Sequence, residues 1–122
     1  MFDSATLKNL FPSDRADRFF DALLGDPAGG AYDIRLKFTA QSDERLAFEF
    51  HLEQRPGKCL ACHLTYGLPQ VFARHPVIDL KGLVRQIDRT LNGKVRCSDW
   101  KLGATREVSK TLHVIPLTIY LK

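Results

Sequence analysis

Two runs of strict alternation constrain this chain more than any other feature in it. Tyr32, Ile34, Leu36 and Phe38 alternate with Asp33, Arg35, Lys37 and Thr39, and Leu46, Phe48, Phe50 and Leu52 alternate with Ala47, Glu49, His51 and Glu53. A side-chain period of two puts each apolar set on one face of an extended segment. The two runs therefore read as an antiparallel pair of strands with one buried and one wet face, joined through the polar residues Gln41 to Glu44.

The flanking sequence supplies the cover for the buried face. Leu7, Leu10 and Phe11 suggest a short helical turn ended by Pro12, and Ser13 is a suitable N-cap for a helix with Ala16, Phe19, Phe20, Leu23 and Leu24 as its apolar stripe and Gly25 and Pro27 as its stop. This predicts a broken first helix over residues 4–24. Gln54 to Lys58 reads as a turn, and a loop of Arg55, Pro56 and Gly57 predicts a third strand over Lys58–Tyr66, with Leu60 opposite Leu52 and Cys62 opposite Phe50. Gly67, Pro69 and Pro76 suggest an irregular link. Asp79 then caps a second helix with Leu80, Leu83, Val84, Ile87 and Leu91 at helical spacing, ended by Asn92 and Gly93.

Residues 94–102 predict a fourth strand with a bulge between Cys97 and Trp100, and Leu112–Leu121 a fifth, whose two apolar faces place it in the sheet interior while Pro116 costs a ladder donor and points to an edge or a bulge. The order α-β-β-β-α-β-β implies an α+β fold, a mainly antiparallel sheet of about five strands with two helices on one face. A length of 122 residues, with 44% hydrophobic and 26% charged, suits a single domain over 1–122 with one core.

Cys59, Cys62 and His63 form a Cys-x-x-Cys-His motif, the spacing of c-type haem attachment and half of a zinc site. Haem attachment needs both sulfurs on one side of the backbone, whereas a strand over these residues sends Cys59 and His63 to one face and Cys62 to the other. A tetrahedral zinc site would need further ligands brought by tertiary proximity from Cys97, His51, His75 or His113. The expectation is no cofactor, with Cys59, Cys62, His63 and Cys97 as the ligand candidates and Cys62 and Cys97 read as small core residues. On the wet face Glu49, His51, Cys59 and His63 line up as a candidate binding surface, Glu49 beside His63.

Charge is divided unequally. The net charge is +4, but residues 1–57 carry seven Lys/Arg against ten Asp/Glu, a balance of −3, and residues 58–122 carry eleven against four, a balance of +7. Lys81, Arg85 and Arg89 recur every four residues on the second helix, with Arg74 nearby, a stripe able to follow a phosphate backbone. Residues 5–92, in α-β-β-β-α order, resemble the double-stranded-RNA-binding fold, although Gly82, Leu83 and Val84 stand where that family places a lysine cluster. The whole order is also similar to the type III secretion chaperones, which implies a dimeric domain that binds an unfolded protein segment; those are typically acidic and carry a third helix, which this basic chain ending in Tyr120, Leu121 and Lys122 does not match.

Phosphate-binding glycine loops, Gly-x-Ser-x-Gly elbows and His-Glu-x-x-His are absent from the sequence. Met1 to Lys8 shows no signal-peptide pattern, no run approaches the ~20 apolar residues of a bilayer span, and the cysteine count of three is odd. A cytoplasmic, non-enzymatic binding domain follows as the expectation, acting through a protein partner or a homodimer, with nucleic acid as the alternative partner and no membrane association.

Overall fold

The computed structural model describes residues 3–12, 14–24, 32–55, 68–91 and 96–121. Helix α1, Ser4–Leu10, is capped by Asp3, whose carboxylate accepts from the Thr6 N–H at 2.8 Å, and α2 spans Arg15–Leu24. Phe11 and Pro12 separate them. The alternating runs form β1, Tyr32–Gln41, and β2, Arg45–Gln54, paired antiparallel with Leu36 opposite Phe50 and a register shift between Phe38 and Ala40. Ser42 Oγ organises their connection by accepting from the Glu44 and Arg45 N–H groups.

Two more helices follow, α3 at Leu68–Arg74 and α4 at Leu80–Thr90. The expected irregular link is thus partly helical. Pro69 sits in the first turn of α3, where a missing N–H breaks no helical bond, so it marks a start and not an interruption. Asp79 caps α4 as expected, accepting from the Gly82 N–H at 3.2 Å, with its own backbone left-handed at φ 51.

The remaining strands are β3, Cys97–Leu102, β4, Arg106–Ser109, and β5, Leu112–Leu121. The sheet is open and antiparallel, in the order β1-β2-β5-β3, with β4 also on β5. Strands β3 and β4 lie end to end along one side of β5, β3 facing Leu117 to Leu121 and β4 facing Leu112 to Val114. The expected bulge is present as a register shift between Cys97 and Asp99.

The predicted strand Lys58–Tyr66 lies outside the described residues, as do Ser13 and the Asn92–Gly93 stop. The pairing assigned to that strand is not made, because β2 has β1 on one side and β5 on the other: Phe50 faces Leu36 and Ile115, and Leu52 faces Ile34 and His113. A hairpin register chosen only to keep apolar side chains on one face has no means of choosing between a neighbour in sequence and a strand sixty residues away. The likeness to the double-stranded-RNA-binding order does not survive this arrangement, since β2 is flanked by β1 and by β5, the last of the described strands.

All the described helices pack on one face of the sheet. A single cluster joins Leu7, Leu10, Phe11, Phe19, Phe72, Leu83 and Ile87 from the helical side to Ile34, Leu46, Phe50, Ile115 and Ile119 from the strands. Edge-to-face aromatic contacts run through it from Phe11 to Phe50, Phe72, Phe19, Phe20 and Tyr32. Burial pushes the Tyr32 phenol well above its ordinary pKa. Arg55, just beyond β2, lies over the Phe20 ring and donates to Asp33 at 3.0 Å and Asp17 at 2.7 Å, tying α2 to the start of β1.

Candidate functional site

On the uncovered face, alternation along β2 sets Glu49 and His51 on the same side, two residues apart. Their side chains meet, His51 Nε2 lying 3.1 Å from Glu49 Oε1, while Arg106 Nη2 donates to Glu49 Oε2 at 2.9 Å. Each carboxylate oxygen has a partner, so Glu49 holds the imidazole and the guanidinium in place. Beneath them Val114 is buried, opposite His51 on one side and Arg106 on the other. No hydroxyl or thiol of the described residues bonds to His51, which is the partner a nucleophile–base pair would require.

The expected partner of Glu49, His63, is outside the described residues together with Cys59 and Cys62. Arg106 belongs to the cluster but does not stand out in the sequence, because β4 is only four residues long and its alternation is too brief to read. Its contact with Glu49 joins the basic half of the chain to the acidic half, as the β2–β5 pairing requires.

A second feature lies at the sheet edge. Between α1 and β1 runs a groove of about 490 Å³ lined by Leu7, Lys8, Phe11, Ile34, Arg35, Leu36 and Lys37. Its floor is apolar and its rim carries three cations. Arg35 approaches Glu53 at 3.8 Å, whereas Lys8 and Lys37 form no ion pair among the described residues. Strand β1 is outermost in the order β1-β2-β5-β3, so among the described residues the side of its backbone away from β2 faces no other strand.

The basic row of α4 is present as the helical spacing requires: Lys81, Arg85 and Arg89 are exposed, as is Arg74 at the end of α3. Arg74 and Lys81 line one shallow hollow of about 300 Å³ with His75 and Asp79. Arg85 is partly committed to its own helix, its Nε donating to the Lys81 carbonyl at 3.4 Å.

The structure does not bring Cys97 to the described histidines near the sheet. Cys97 faces Leu121 at one end of β5, while His113 and the residue opposite His51 lie at the other end, seven or eight residues away, roughly 25 Å at strand rise. His113 and His51 also point to opposite faces, His113 being buried opposite Leu52 on the covered side. His75 packs on Phe19 at 4.8 Å. Among the described residues no group of three or more His, Cys, Asp or Glu is placed to hold a metal ion, and no helix is long and apolar enough to cross a membrane.

Burial, with the Asp88 carboxylate beside it, pushes the Cys97 thiol up to about 11 from an ordinary 9.0. The neutral thiol is the form favoured by folding, so its contribution to stability is complete below pH 9 and is lost as pH rises through about 11. About a hundredfold less thiolate, partly offset by the greater nucleophilicity of a more basic sulfur, leaves alkylation at pH 8 about tenfold slower than for a free thiol. Peptide-resolved labelling with iodoacetamide should show this lag at Cys97 in the folded chain and its disappearance in urea; equal rates in the two states would show that burial does not protect the sulfur.

Comparisons with protein-family models, with curated proteins and with solved structures found no match to this chain.

Proposed function

We propose that this chain is a small cytoplasmic, non-enzymatic binding domain that associates with another protein chain, a partner or a second copy, by strand addition to β1. The observation that carries the reading is the outer position of the ten-residue β1 beside the apolar groove under α1. A strand edge that faces no other strand among the described residues offers backbone donors and acceptors to an incoming strand, and a groove along it receives alternate side chains of that strand. The register shift between Phe38 and Ala40 limits the straight edge to the stretch from Tyr32 to Phe38.

The Glu49–His51–Arg106 cluster adds a polar patch on the uncovered face, in which no hydroxyl or thiol of the described residues bonds to His51. A nucleic-acid reading has narrower support in the exposed row Lys81, Arg85 and Arg89 with Arg74 across the hollow. It requires retention on heparin or RNA at low salt that falls steeply as salt is added.

The test of strand addition is a random library of strand-length peptides selected on the folded full chain, followed by amide resonance mapping. Selected peptides should shift Tyr32 to Lys37 together with Leu7 and Phe11. A library without binders, from a chain that also stays monomeric to millimolar concentration, would falsify the reading.

A further inference from the structure

We propose that the groove between α1 and β1 receives an extended segment of a different protein in which acidic side chains alternate with aliphatic ones. This inference rests on the strand-addition reading above and specifies its partner. The two sides of an added strand would meet two different environments. Side chains on the covered side of the sheet would enter the groove formed by Leu7, Phe11, Ile34 and Leu36. Those on the uncovered side would lie beside Arg35, which also approaches Glu53 at 3.8 Å, and Lys37, which has no ion pair among the described residues; both alternate outward from the same strand. Opposite charges across neighbouring strands are favourable and like charges unfavourable, so that side selects for Asp or Glu. Lys8, at the groove rim on α1, adds a third positive charge.

Two nearer occupants lack this complementarity. A second copy pairing β1 against β1 would bring its own Arg35 and Lys37 to the same face, with its Asp33 already held by Arg55 at 3.0 Å. Residues 56–67 of this chain contain Lys58 and His63 and no Asp or Glu. The charge on the rim therefore points away from self-recognition and toward an acidic partner.

The experiment titrates the full chain with three labelled peptides of β1 length: alternating Glu-Val, alternating Lys-Val, and the Glu-Val peptide N-methylated at every second residue. The Glu-Val peptide should bind at least about tenfold more tightly than Lys-Val, with an affinity that falls as salt rises. N-methylation on the pairing side should abolish binding, because it removes the donors that join β1. The double substitution Lys8→Glu, Lys37→Glu affects only exposed side chains, so the fold should persist while the order of the two peptides reverses. Equal binding of Glu-Val and Lys-Val at β1 would overturn the acidic partner while leaving strand addition in place. Failure of all three peptides, β1 amides fully protected from exchange in the isolated monomer, or a β1-paired dimer would also overturn the proposed occupant.

Discussion

Phe50→Ala should lower the unfolding free energy by about 4 kcal/mol, the largest single loss expected from this core. Phe50 is fully buried in the middle of β2, between Leu36 and Ile115 on the neighbouring strands. Its ring meets Phe11 edge-on at 5.3 Å and Phe72 at 5.6 Å, so one side chain links the sheet to the segment after α1 and to α3. Each such aromatic pair is worth ~0.5–1.5 kcal/mol beyond the area it buries. Domains of this size are stable by ~5–15 kcal/mol in total, so this one ring carries between about a quarter and most of the stability. Phe50→Leu retains most of the volume and should cost about 1.5 kcal/mol. Urea titrations of both variants decide the point: similar small losses would mean that the core does not close around this ring.

Gly103→Ala should cost about 2 kcal/mol for a reason specific to one contact. The Gly103 N–H donates to the Pro116 carbonyl at 2.8 Å, which holds the two backbones together. A Cβ built at residue 103 would stand 2.6 Å from Pro116 Cγ, well inside any tolerated separation. Pro116→Ala removes that ring carbon, so the double variant Gly103→Ala, Pro116→Ala should recover most of the loss, with a coupling of at least about 1 kcal/mol. Strictly additive losses in thermal or urea unfolding would exclude the steric account.

The same contact explains how a proline occupies an interior strand. In an antiparallel strand the N–H and C=O of one residue point to the same neighbour. Since the Pro116 carbonyl points toward Gly103, its missing donor also faces that side, where the edge is interrupted between β3, ending at Leu102, and β4, starting at Arg106. Pro116 therefore deprives no paired acceptor on the β2 side. The apolar faces of this strand predict an interior position and its proline an edge or a bulge; the strand is interior, and the irregularity belongs to its neighbour.

What the sequence alone determined is local and periodic. The alternation of Tyr32 to Phe38 and Leu46 to Leu52, the Asp79 cap, the apolar spacing of Leu80, Leu83 and Ile87, and the bulge after Cys97 are all legible because each depends on residues within a few positions of one another. These elements were enough to assign an antiparallel α+β fold with one covered face. The neighbours of β2, the pairing of Glu49 with Arg106 and the outer position of β1 were decided only by tertiary structure. An alternating strand offers the same donors and the same apolar face to any partner of matching pattern, so its own residues do not say which strand will lie beside it. That choice was made by closing a single core across the whole chain, which placed β5 against β2 and left the cationic groove of β1 on the outside.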